Sequence, residues 1–166
     1  KVILKFLWKC LKILLKNIQM GKVNKIGLDL HGVMSDLPDT FKFLGESVIK
    51  NSGEVHIITG TMREKALKEL KALGFKRGQH YSTLFCIVDY MVSSGAKSRG
   101  IHPIFKNQEF DDEEWDRVKG EYCRANDINL HIDDSLAYAE HFTTPFARLW
   151  TRTNTPKIGK PKRHQS

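Results

Sequence analysis

The stretch "KIGLDLHGVMSD", residues 25–36, decides how the chain folds. Its first half, "KIGLDL", reads as a buried strand, and Gly32 follows Asp29 by three residues. A carboxylate at the end of an apolar strand is costly without a partner. Asp29 therefore reads as a functional group rather than a turn cap. His31, two residues on, adds an imidazole beside it.

Outward from this strand, short apolar runs alternate with helical patterns. "EVHIIT" (54–59), "YSTLFCIV" (81–88), "INLHI" (128–132) and "FARLW" (146–150) supply four more strands. Helices are expected near 39–51, over 61–75, over 111–126 and over 135–142. The second of these has Thr61 as N-cap, Glu64 three residues later as a capping box, and Gly74 as its stop. The third has acids in its first turn, where the helix dipole favours them. Strands alternating with helices predict an α/β domain with a central parallel sheet of about five strands, covered on both faces. Ligands of such sheets bind beyond the carboxyl ends of the strands. Three clusters fall there: Asp29 with His31, Thr59-Gly60-Thr61, and Asp133-Asp134-Ser135.

With 166 residues, 40% of them hydrophobic, the chain is long enough for one domain with a core and too short for two. Its net charge of +8 belongs to the ends. Ten of the 27 Lys and Arg lie in residues 1–19 and 151–166, which hold no acid. Residues 20–150 are left with 17 basic against 19 acidic residues, no footprint for nucleic acid. The lysines at 1, 5, 9, 12 and 16 fall within about 80° of one another on a helical wheel. Residues 1–19 thus read as a basic amphipathic helix, on an anionic membrane surface or docked on the domain, or as a leader ahead of Met20. Residues 151–166 read as a basic tail. Cys10, Cys86 and Cys123 form no CxxC pair, which suggests a reducing, cytoplasmic setting.

In their order and spacing "LDLHGV", "IITGT" and "HIDDS" resemble the haloacid dehalogenase superfamily, over about residues 24–150. The resemblance implies a three-layer Rossmann-like fold and a magnesium-dependent phosphatase with little or no cap. It implies Asp29 as nucleophile, forming an aspartyl-phosphate, and Asp133 with Asp134 holding Mg²⁺ opposite it. Thr59 would bind a phosphate oxygen, with Gly60 and Thr61 beside it. A lysine would neutralise the phosphate: Lys119, or alternatively Lys106 or Lys97. "IDDS" is similar to the deoxyribonucleotidase branch, which implies a nucleotide or other small phosphorylated metabolite as substrate.

Members of that family usually carry a second aspartate where this chain has His31. Its carbonyl, a metal ligand, survives the substitution; its proton-transfer role passes to an imidazole. Two other readings stand beside the phosphatase. One is a module that holds Mg²⁺ and a phosphorylated ligand without turnover. The other is a polynucleotide-end phosphatase gripping the backbone through its basic ends.

Overall fold

The computed structural model describes residues 24–101 and 108–151. Expectations for residues 1–19, for Lys106 and for the tail beyond Thr151 lie outside the described residues.

The described chain runs β1 (Lys25–Leu28), α1 (Pro38–Lys50), β2 (Glu54–Thr59), α2 (Arg63–Ala72), β3 (Thr83–Cys86), α3 (Ile87–Ser93), β4 (Gly100–Ile101), β5 (Gln108–Glu109), α4 (Asp112–Ala125), β6 (Leu130–Asp133) and β7 (Phe146–Arg148). Five strands form one parallel sheet in the order β3-β2-β1-β6-β7. The fold is α/β, a central parallel sheet flanked by helices, as the alternating pattern predicts. β4 and β5 form a separate antiparallel pair that the sequence pattern does not announce.

Strand parity separates the two faces. Ile26, Leu28, Val55, Ile57, Leu130 and Ile132 pack with Phe41 and Val48 of α1 and Ala66 and Leu70 of α2. On the other face Ile58 meets Cys123 of α4, with Phe85 and Tyr122 against them. Burial on both faces explains why the strands read as continuous apolar runs.

Several boundaries differ from the sequence reading. The apolar run at 81–88 is not one strand: it bends after Cys86 into α3, whose Ile87, Val88 and Met91 fill a satellite cluster with Phe110 and Val118. Periodicity cannot separate a buried strand from a buried helix over so short a run. The expected helix at 135–142 is reduced to one short turn, Ala139–His141. In α2 the capping residue is Met62 and no side chain caps it, so the Thr61–Glu64 capping box does not form. The stop does. Gly74 has φ +78°. Its N–H donates to the Lys71 carbonyl at 3.1 Å and that of Phe75 to Leu70 at 2.8 Å.

The order of the strands sets the site. From central β1 the chain winds outward through β2 and β3, then returns to place β6 on the other side of β1. Neighbouring strands whose connections leave in opposite directions open a crevice at their carboxyl ends. Here that switch point lies between β1 and β6. The Asp29 N–H donates to the Ile132 carbonyl at 2.9 Å, carrying the pairing one residue past β1 and setting Asp29 level with Asp133.

Candidate functional site

Asp29, Asp133 and Asp134 converge on this switch point, offering carboxylate oxygens within 4.8 Å of one another. Gly27, Asp29, His131 and Asp133 share one parity, so Asp29 and Asp133 face α4 rather than α1 and α2. Lys119 of α4 comes down between them, its Nζ donating to Asp29 Oδ1 at 3.0 Å and to Asp133 Oδ2 at 2.6 Å. All three groups are buried. Asp133 is further fixed by His131 Nε2 at 3.1 Å and by the Ser135 N–H at 3.0 Å on its other oxygen.

The charges are unevenly settled. Burial raises the Asp29 carboxyl to about 6; Lys119 opposes the rise and the Asp133 charge adds to it. Burial would also raise Asp133, but Lys119 and the His131 hydrogen bond outweigh it and hold that carboxyl below its ordinary range. Lys119, which burial alone would depress, is held above the ordinary lysine range by the two aspartates. Burial lowers His131, against its bond to Asp133, and so favours the neutral ring. Burial and the Asp133 charge raise Asp134.

The turn Leu30–Met34 brings the loop over Asp134. Gly32 has φ +69°, and a Cβ built there would lie 2.4 Å from Asp134 Oδ2. Only glycine meets both demands. Arg148 Nε donates to the Asp134 carbonyl at 2.9 Å and holds the far side of that loop.

Around the cluster opens a cavity of about 670 Å³, lined by Asp29, His31, Gly60, Thr61 and Lys119 together with Asp133 and Asp134. Thr59 is not among its lining residues. It shares the parity of Val55 and Ile57 and is fully buried, its hydroxyl without a partner. The hydroxyl at the cavity wall is that of Thr61, also buried and unpartnered. Lys97 is exposed and lies outside the lining. His31 turns its imidazole to Glu69, Nε2 to Oε2 2.8 Å, and the ring is not part of the carboxylate cluster.

Sequence reasoning missed the far walls. Lys65 and Glu69, four apart on α2, line one side; Asp112, Trp115 and Lys119, at i, i+3 and i+7 on α4, line another. That spacing was a usable signal: once Lys119 is placed in the site, Trp115 must share its face.

The residues present suit a hard divalent cation. Three carboxylates beside one lysine leave a net charge of about −2, and oxygen donors are what Mg²⁺ takes. The hydrogen bonds leave lone pairs open on Asp29 Oδ2 and Asp133 Oδ1.

No family model matches the chain, and no curated protein matches it. A solved structure of a universal stress protein in complex with cAMP aligns with 76% of this chain and 96% of its own, at 10% identity and a TM-score of 0.37. The resemblance to the haloacid dehalogenase superfamily is corrected by these findings. No family model and no curated protein of that superfamily matches. The physical reason is that short motifs at strand tips report the chemistry a crevice can carry, which unrelated parallel sheets can share.

Proposed function

We infer that this chain is a magnesium-dependent phosphomonoester hydrolase in which Asp29 takes the phosphoryl group. One observation carries the reading: Asp29, Asp133 and Asp134 sit within 4.8 Å at a strand switch point, tied to buried Lys119 and open to a cavity. Asp29, Asp133 and Asp134 would hold Mg²⁺, which would supply the positive charge without which a dianionic phosphate would be repelled.

The protein's own groups divide the remaining tasks. An Asp29 oxygen attacks phosphorus as the bond to the leaving oxygen breaks, giving an acyl phosphate on Asp29 and a free alcohol. Lys119 keeps Asp29 oriented and offsets charge on the phosphoryl oxygens. The Thr61 hydroxyl donates to one of those oxygens. His31, steadied by Glu69, gives its proton to the leaving oxygen. It then takes a proton from the water that attacks phosphorus, releasing phosphate and restoring Asp29. The two described cysteines, buried and free, suit a reducing cytoplasm. Among the described residues no helix is long and apolar enough to cross a membrane.

The test is phosphate release from 4-nitrophenyl phosphate by the full chain from pH 5 to 8, with Mg²⁺ or with chelator. Mass spectrometry of quenched protein is expected to find one phosphoryl group on the peptide carrying Asp29. Metal-independent release, or release that survives Asp29→Asn, overturns the mechanism. Metal-dependent phosphate binding with no release in the intact protein overturns the hydrolase and leaves a holding module.

A further inference from the structure

Resting on that reading, the cavity says what the phosphoryl group is attached to. At about 30 Å³ per water, 670 Å³ is room for roughly twenty waters, far more than a five-atom phosphoryl group fills. Pockets of this size receive a whole small molecule. The wall beyond the carboxylates is aromatic: Phe110, Trp115 and Tyr138 all line it.

Trp115 is the fixed element of that wall. Its ring lies nearly parallel to the buried Phe110 ring, planes 16° apart and centroids 6.2 Å apart. Its six-membered ring lies against Gly60: a Cβ there would be 2.9 Å from Trp115 Cζ2, so glycine is what lets the ring reach the end of β2. Tyr138 is occupied differently, its ring lying over the Lys119 ammonium at 4.4 Å. The same cavity is lined by the buried, unpartnered Thr61 hydroxyl, a polar atom open to a ligand. Beyond the central three carboxylates, the described lining carries Glu69, Glu109 and Asp112 against Lys65. A second phosphate or carboxylate on the ligand would meet like charge there.

We propose that the substrate is a monophosphate ester of a planar aromatic group, neutral or cationic, which stacks on Trp115 while its phosphoryl group reaches Asp29. Trp115 is on this account a specificity-determining residue that plays no part in the chemical step. Stacking a ring on an aromatic side chain is worth about 1–3 kcal/mol, or roughly a 5–150-fold difference in affinity.

The experiment is calorimetric titration of the full chain in Mg²⁺ with three non-hydrolysable probes. They are phenylphosphonate, methylphosphonate and 4-phosphonobenzoate, the last with a second anion on the ring. Phenylphosphonate is expected to bind at least about fivefold more tightly than either of the others. Trp115→Leu is expected to erase the preference for phenyl over methyl while leaving methylphosphonate affinity unchanged, and Trp115→Phe to retain part of it. Equal binding of phenyl- and methylphosphonate, or a preference that survives Trp115→Leu in a folded variant, overturns the aromatic subsite and leaves the phosphatase reading standing. Equal binding of 4-phosphonobenzoate overturns the charge selection. If none of the three binds, the phosphoryl reading falls with it. The wild-type comparison stands even where Trp115→Leu fails to fold.

Discussion

At the amino end of the sheet, Lys25 Nζ lies 3.5 Å from Glu54, and His56 bridges Glu54 and the Tyr122 hydroxyl at 2.9 Å on each side. The hydrogen bond from His56, with Lys25 beside it, holds the Glu54 carboxyl below its ordinary range. At the carboxyl end of the same strands, burial pushes Asp29 up to about 6, and the Thr61 hydroxyl at the cavity wall has no partner. The strands are common to both ends, so β-pairing cannot account for the difference. At the amino end the charged groups are paired within the protein, and Asn24 Oδ1 is the one buried side-chain polar atom there without a partner among the described residues. The other gathers three carboxylates about one lysine and leaves the Thr61 hydroxyl open at the cavity wall, the kind of arrangement that marks a candidate site.

The largest expected effect breaks the carboxyl end outright. Asp29→Asn removes the attacking oxygen, and magnesium-dependent turnover is expected to fall by about 10⁴-fold or more, measured by initial rates. Losing Lys119 acts on the fold as well as on turnover. Lys119→Met leaves Asp29 and Asp133 buried side by side without their shared cation, and breaking such a pair costs about 3–5 kcal/mol. Urea unfolding at pH 7 measures it. Combining Lys119→Met with Asp29→Asn is expected to recover part of that loss, since one of the two stranded charges is gone.

A metal-free pH series sharpens the contrast. A carboxyl raised from 3.8 to about 6 makes folding favour the protonated form. Its stabilising contribution is full below pH 3.8 and is lost as pH rises through 6. The loss over that span is about 3 kcal/mol. His131 works in the opposite sense: with its pKa lowered, it stabilises the fold as pH rises toward 6.5. The difference between wild type and Asp29→Asn isolates Asp29. The variant is expected to be the more stable by about 2–3 kcal/mol at pH 7.5 and to match wild type near pH 4. Mg²⁺ is expected to close the gap at pH 7.5, because it stabilises only the chain that binds it. A gap that does not change with pH would refute the assignment of the shift to Asp29.

Much of this end of the molecule was legible before the fold was. The apolar runs of β1, β2 and β6 place Asp29 and Asp133 at strand ends, and the acid-rich start of α4 shows in its N-cap, where Asp111 accepts from the N–H groups of Glu113 and Glu114. The resemblance left Lys119, Lys106 and Lys97 open, and the ion pairs to Asp29 and Asp133 favour Lys119 over the exposed Lys97. What failed did so for local reasons. Thr59 took its role from the motif resemblance, but strand parity turns it from the cavity. Thr61 was read as a cap, yet α2 begins at Arg63 without one and its hydroxyl lines the site instead. The cavity's aromatic wall depends on Phe110, Trp115 and Tyr138 meeting from separate segments, and no window of sequence contains that meeting. Three motifs in order suggested a superfamily, but a short motif reports strand-end chemistry and not descent.

The smallest expected effects test the comparison most directly, because each removes a single oxygen. Tyr122→Phe deletes a hydroxyl bonded to His56 at 2.9 Å, so a buried ring nitrogen loses its partner and stability is expected to fall by about 1 kcal/mol. Turnover is expected to stay within twofold, since Tyr122 lies outside the cavity lining. Thr61→Val deletes a hydroxyl that is equally buried but bonded to nothing. Removing an unpaired buried polar atom and keeping its shape is neutral or stabilising by up to about 1 kcal/mol. The loss then appears in KM for the phosphoryl substrate, about five- to tenfold, because the ligand oxygen that it would have met goes unpaired. The two substitutions should therefore exchange their effects, stability for one and affinity for the other. If Thr61→Val instead costs stability and spares KM, its hydroxyl belongs to the fold, and the carboxyl end is no more frustrated than the amino end.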